Sequence, residues 1–198
     1  MTSIILASGS SIRRDMLQNA GLDVEVQPAR VDEAGIKSAM LAEDAPPRDI
    51  ADKLAELKSL RISQKNPEAL VLGADQVLVH AKRLFDKPED LSEAREHLEL
   101  LSGQAHELLS AAVLSENGNP VWRHIGRAQM IMRPLSAPFI NAYLAAEREG
   151  VLETVGCYKL EGRGAQLFSR VQGDYFSVLG LPLLEILGFL RARGVLVE

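Results

Sequence analysis

The segment Ala69-Leu70-Val71-Leu72-Gly73-Ala74 carries no polar side chain, and Asp75 follows it directly. It reads as a buried strand that continues through Asp75 to Val79. A carboxylate near the end of a buried strand is costly unless it is paired or binds a metal. Acids placed this way are frequent at active sites. The alternative is a turn aspartate that caps the next segment.

The rest of the pattern alternates short strands with helices. Ser3 to Ala7 is a short apolar run, read as a first buried strand, and Ser8-Gly9-Ser10-Ser11 breaks it. Ile12 to Ala20 reads as a helix stopped by Gly21. Val24 to Gln27 alternates like a strand, and Arg48 to Leu60 has the apolar stripe of a helix. Ser92 is the expected cap of a helix to Leu101. Glu107 to Ser115 and Val121 to Arg133 read as strands joined through Asn117-Gly118, a strong hairpin signal. Ser136 is expected to cap a helix to about Arg148. A second hairpin is expected from Ala165 to Arg170 and Tyr175 to Leu179 around Gly173-Asp174, and a final helix from Pro182 to near Gly194. Interspersed strands and helices place the chain in the α/β or α+β class, with a mixed sheet.

At 198 residues and 46% hydrophobic, the chain suits one soluble domain spanning 1–198, or two small lobes sharing a core. The net charge of −5 disfavours long nucleic acid as a partner. One cysteine, Cys157, excludes an internal disulfide and a Cys-rich metal site. No apolar run approaches the roughly 20 residues that span a bilayer. Met1 to Ala7 has no charged leader, so a cytoplasmic location is expected by default.

Four further places can carry chemistry. Ser8-Gly9-Ser10-Ser11-Ile12-Arg13-Arg14 leads from a strand through a small-residue loop into a helix N-terminus. Unpaired N–H groups and the positive dipole end converge there. Ser8 and Ser10 add hydroxyls, and Arg13 and Arg14 add forks suited to phosphate oxygens. The alternative is an ordinary capped loop with two solvated arginines. A Walker-type loop is excluded by the missing glycines and lysine. Lys58, at the edge of its helix stripe, either snorkels outward or enters a cleft to neutralise a phosphate or carboxylate. Asp32-Glu33 lies in an expected loop, as solvated surface or as oxygen ligands to Mg²⁺. Lys87-Pro88 is a rigid turn bearing a cation. The signatures of zinc proteases, serine hydrolases and thioredoxin-like proteins are missing.

In order along the chain, these segments resemble the Maf family of nucleoside-triphosphate pyrophosphatases. Leu6-Ala7-Ser8-Gly9-Ser10-Ser11-Ile12-Arg13-Arg14 is similar to its opening L-A-S-x-S-x-x-R-R, and Val31-Asp32-Glu33 to its acidic loop. Leu54-Ala55-Glu56-Leu57-Lys58-Ser59 resembles L-A-x-x-K-A, and Gly73-Ala74-Asp75-Gln76-Val77 resembles G-[AS]-D-[TQ]-V. Lys87-Pro88, Leu101 to His106, Gly156 to Gly162 and Leu179 to Leu183 complete eight matches over nearly the whole chain.

The resemblance implies a mixed twisted sheet flanked by helices, with two lobes and a central cleft, like the inosine-triphosphate pyrophosphatases. It implies hydrolysis of a nucleoside triphosphate to the monophosphate and pyrophosphate with Mg²⁺ or Mn²⁺, and it allows a homodimer. Ser8, Ser10, Arg13 and Arg14 would bind the triphosphate, with Arg14 alternatively a structural partner of an acid. Glu33, Lys58 and Asp75 would be the acid, cation and general-base set: Asp75 would deprotonate the attacking water or hold the metal that does so, and Glu33 would help hold that metal. Lys87 would be a further nucleotide contact. A rival reading is a nucleotide-binding regulatory module in cell division that does not turn over. A terminal phosphatase differs only in product.

Family members resemble either a uracil/thymine-triphosphate type or a 7-methylguanosine-triphosphate type. Lys159-Leu160-Glu161-Gly162 and Gln76 resemble the second. A carboxylate at Glu161 could accept guanine's two adjacent N–H donors, and an anion suits a cationic 7-methyl ring. The alternative pairs Glu161 with Lys159. Ile12, Ser110-Ala111-Ala112 and Glu149 to Glu153 depart from the family pattern, which leaves UTP or dTTP open as the substrate.

Overall fold

The structure, a computed structural model, describes residues 3–197. Met1 and Thr2, the start of the stretch read as lacking a charged leader, lie outside the described residues. The described strands are β1 Ile4–Leu6, β2 Val24–Val26, β3 Leu70–His80, β4 Arg83–Phe85, β5 Ala105–Glu116, β6 Asn119–Met132 and β7 Phe168–Gln172. The helices are α1 Ser11–Asn19, α2 Glu33–Ala42, α3 Pro47–Ser63, α4 Leu91–Leu101, α5 Ala137–Glu147, α6 Tyr175–Val178 and α7 Leu183–Ala192. The strands form a mixed sheet in the order β2-β1-β3-β5-β6-β7, with β4 on β3. β1 is parallel to β2 and β3, whereas β3–β4 and β6–β7 are antiparallel. This is the expected α/β class. No helix among the described residues is long and apolar enough to cross a membrane.

The chain divides into two compact units. The first runs through Gln76, then takes Leu109–Gly126 and the chain from Asp174 onward. The second takes Val77–Leu108 and Arg127–Gly173. In the first unit the period of two along β1 and β3 sorts side chains to two faces. Ile4, Leu6, Leu70, Leu72 and Ala74 pack with Leu17 of α1 and with Ile186 and Leu190 of α7. Ile5, Ala7 and Val71 pack with Ile62 of α3. Gly73 lets α3 approach this second face: a Cβ there would collide with the Ala55 carbonyl and lie 2.6 Å from the Ser59 nitrogen. The Ser59 hydroxyl donates to the Val71 carbonyl at 2.9 Å, tying α3 to the strand. The second unit buries Leu98 and Leu101 of α4, Ile140 and Tyr143 of α5, and Cys157 and Tyr158 beyond them.

Most expected elements lie within a few residues of the observed ones. The Asn117-Gly118 hairpin forms with positive φ at both residues, 48° and 72°, as a type I′ turn requires. Three expectations are corrected. Asp90, not Ser92, caps α4, its carboxylate accepting the Glu93 N–H at 2.8 Å, because helix entry at Leu91 buries Ala94, Leu98 and Leu101 on one stripe. Tyr175 to Leu179 is not a strand. Asp174 accepts the Ser177 N–H at 2.7 Å, a helix cap that turns the chain into α6. Asp32-Glu33 is not loop: Asp32 caps α2 by accepting the Gly35 N–H at 3.0 Å, and Glu33 opens the helix. α2 buries no residue along its length, so the apolar stripe that marks other helices is missing from its sequence.

Candidate functional site

Alternation at the end of β3 builds the site. Asp75 shares parity with Val71 and Gly73 and therefore faces α3. Ala74 and Gln76 share parity with Leu72 and face the side of α1 and α7. On the α3 face, Lys58 lies in the middle of the buried stripe Leu54, Ala55, Lys58, Ser59, Ile62, not at its edge. It cannot snorkel: only 8% of the residue is exposed. Its ammonium lies 2.6 Å from Asp75 Oδ1 and 2.9 Å from Glu33 Oε1. Asp75 is 5% exposed, and its second oxygen, Oδ2, is buried with no hydrogen-bond partner. Glu33 is the half-open member of the set. Three residues distant in sequence thus form one ionic cluster at the strand end.

Arg13 comes from the first turn of α1, where Ser10 is the N-cap. Its Nε donates to the Gly180 carbonyl at 2.8 Å. Nη1 donates to the Ala74 carbonyl at 3.1 Å and to Ser8 Oγ at 3.2 Å. All three acceptors are neutral, so no contact offsets the guanidinium charge. Burial pulls its pKa below the ordinary arginine value, while the charges of Asp75 and Glu33 push it back up. A desolvated cation on neutral oxygens beside a helix N-terminus favours an anionic ligand. Ser8, 7% exposed, also accepts the Ser10 N–H at 3.3 Å, which ties the loop to the arginine.

Gln76 has a different partner set from the expected nucleotide contact. Its Nε2 lies 2.9 Å from Ser110 Oγ, 3.0 Å from the Val178 carbonyl and 3.2 Å from the Ser177 carbonyl. The amide donor is therefore spent on the protein. Arg14 points to solvent and pairs with Asp15 at 2.7 Å, the structural-partner alternative for this residue. Lys87, Lys159 and Glu161 belong to the second unit. There Lys159 pairs with Glu153 at 2.5 Å, not with Glu161. Lys159 first, and Lys87 more weakly, hold the Glu153 carboxyl below its ordinary pKa. Glu161 is exposed.

Among the described residues, no three His, Cys, Asp or Glu side chains cluster as a metal cage. A magnesium-type site does not need one. Mg²⁺ takes one or two carboxylates, keeps waters and uses substrate phosphates. The orphaned Asp75 Oδ2 and the half-open Glu33 fit that description. The carbonyls of Gly180 and Ser177 hold Arg13 and Gln76. Backbone acceptors leave no residue-type signal.

The family model described as Maf-like protein matches residues 3–193. A protein of Ruegeria pomeroyi named nucleoside triphosphate pyrophosphatase is 52% identical over 98% of this chain and 97% of its own. A protein of Mesorhizobium japonicum named 7-methyl-GTP pyrophosphatase is 49% identical over 98% of this chain and 97% of its own. Among solved structures, a HAM1 protein from Coxiella burnetii aligns with a TM-score of 0.44 and 18% identity, covering 67% of this chain and 73% of its own. With a family model spanning almost the whole sequence and half of all positions shared with full-length relatives, this chain belongs to the Maf family.

Proposed function

We propose that the chain hydrolyses a nucleoside triphosphate to the monophosphate and pyrophosphate. The observation that carries this reading is the buried Lys58 held between Asp75 and Glu33, with Arg13 beside them on neutral acceptors. The names of the Ruegeria and Mesorhizobium relatives support it. Asp75 Oδ1 is held by Lys58, which leaves Oδ2 either to take a proton from the attacking water or, with Glu33, to hold the metal that activates it. The water oxygen bonds to the α-phosphorus, the bond from that phosphorus to the α–β bridging oxygen breaks, and pyrophosphate leaves with that oxygen. Arg13 and Lys58 offset the charge that develops on the phosphate oxygens.

Two cations and two carboxylates in the cluster nearly cancel, so a polyphosphate needs further positive charge. Glu33 and Asp75 would hold a divalent cation, Mg²⁺ or Mn²⁺, which supplies that charge and polarises the phosphate oxygens. For the base, Lys159 and Glu161 favour 7-methyl-GTP over UTP or dTTP, since a carboxylate suits guanine's N–H donors and a cationic ring.

The test is Asp75→Asn, assayed for pyrophosphate release from a panel of ordinary and 7-methylated triphosphates with Mg²⁺ or Mn²⁺. Turnover should fall by roughly 10²–10⁴, with an unchanged circular dichroism spectrum. Retained turnover, or orthophosphate as the only product, would overturn the reading. Preference for UTP or dTTP would overturn the assignment of the base alone.

A further inference from the structure

We propose that Ser110 is a positioning residue for Arg13, acting through the carbonyl of Ser177 and the turn that ends at Gly180. The proposal rests on the reading of Arg13 as a phosphate ligand. Ser110 lies on β5, is fully buried and touches no phosphate-binding group itself. Its hydroxyl donates to the Ser177 carbonyl at 2.7 Å and accepts from Gln76 Nε2 at 2.9 Å. The same Ser177 carbonyl accepts the Gly180 N–H at 3.1 Å. The Gly180 carbonyl in turn accepts Arg13 Nε at 2.8 Å. Four residues from three separate stretches of the first unit thus form one connected chain: Ser110 and Gly180 both donate to the Ser177 carbonyl, and Arg13 donates to the Gly180 carbonyl.

The surroundings fix this chain in place. Asp174 holds the Ser177 N–H at 2.7 Å, and Gln76 also reaches the Val178 carbonyl at 3.0 Å. Gly126 packs so closely on Ser177 that an added Cβ would lie 2.9 Å from the Ser177 Cβ. Gly180 has φ +100°, a conformation other residues rarely adopt, and this aims its carbonyl at Arg13. The other anchor of Arg13, the Ala74 carbonyl, is two residues before Gln76 on the same strand. One strand end therefore holds the arginine directly and, through Gln76 and Ser110, holds the turn that orients it. Orientation matters because a guanidinium is a planar fork: a rotation changes which N–H groups meet the phosphate oxygens.

The test is a double-mutant cycle of Ser110→Ala with Arg13→Lys. The readouts are kcat/KM for pyrophosphate release and the Kd of an α,β-methylene nucleoside triphosphate by calorimetry. In the natural background Ser110→Ala should cost roughly tenfold in both, and Ser110→Thr, which keeps the hydroxyl, should recover most of it. In the Arg13→Lys background, where no Nε meets Gly180, the same change should cost less than about twofold. Equal losses in both backgrounds, or no loss in the natural one, would overturn the proposal. Unchanged binding and turnover in Arg13→Lys alone would instead sink the reading of Arg13, a separate result.

Discussion

The two units bury polar groups of different kinds. In the first unit the buried titratable side chains are ionic: Lys58 and Asp75 form an ammonium–carboxylate pair, and one carboxylate oxygen is left without a partner. In the second unit they are imidazoles, phenols and a thiol. His106 Nε2 lies 2.7 Å from the Tyr158 hydroxyl, the Tyr143 hydroxyl donates to the Cys157 carbonyl at 3.0 Å, and Cys157 Sγ lies 3.8 Å from His97 Nδ1. Burial drives each of these groups towards its neutral form: His106 falls to about 4, His97 falls, and Tyr143 and Tyr158 rise. Burial of a titratable group does not by itself mark a reactive site. What distinguishes the first unit is that its buried titratable groups pair a cation with carboxylates.

The sharpest way to break this contrast is to remove the cation. Lys58→Met leaves Asp75 buried beside Glu33 without its ion-pair partner, and breaking a buried pair from one side costs about 3–5 kcal/mol. Chemical denaturation should show a loss of that size, and pyrophosphate release should fall below detection. The double change Lys58→Met with Asp75→Leu should regain most of the stability and none of the activity, because apolar replacement of a buried pair is close to neutral. A single variant as stable as the natural protein would show that the ionic cluster is solvated and would end the comparison.

His106 gives a smaller effect with a defined pH window. Its folded value of about 4 lies below the 6.5 of an exposed imidazole, so unfolding takes up a proton between those limits. The stabilisation is complete above about pH 6.5 and is lost as pH falls towards 4, on the order of 3 kcal/mol in all. His97, also lowered by desolvation, adds to the same slope. Denaturation midpoints measured from pH 7 to 4 should fall less steeply in His106→Gln. An unchanged slope would mean that His106 is charged in the folded protein.

The ionic cluster was more legible in the sequence than its surroundings. Asp75 stood out because an apolar strand ran straight into a carboxylate, and the serine loop before Arg13 carried a helix-start pattern. Lys58 was ambiguous, because a stripe-edge lysine and a buried one share the same spacing; only the close approach of α3 at Gly73 settles it. Glu33 reads as loop because α2 buries nothing, although Asp32 at a capping position marks its start. Tyr175 to Leu179 reads as a strand because its aromatic and β-branched residues favour one, while the Asp174 cap turns Tyr175–Val178 into a helix. The partners of Gln76 were out of reach: two are backbone carbonyls, and the third, Ser110, lies 34 residues away.

The smallest expected effect tests the second unit at the point where it most resembles an active site. Cys157, His97 and Glu93 stand in line, with Sγ 3.8 Å from one imidazole nitrogen and Glu93 3.6 Å from the other. By distance alone this is a nucleophile, a base and an orienting acid. The chemistry opposes it. Burial pushes the Cys157 thiol up to about 12, and Glu93 adds to that rise. A thiol so far above neutrality supplies almost no thiolate, the form that attacks. Burial also lowers the pKa of His97, which makes it a weaker acceptor for the thiol proton. Iodoacetamide at pH 8 should therefore leave the folded protein unmodified and alkylate it only after denaturation, and Cys157→Ala should keep turnover within about twofold of the natural protein. Rapid alkylation in the native state would place a reactive thiolate in the second unit and erase the distinction between the two kinds of burial.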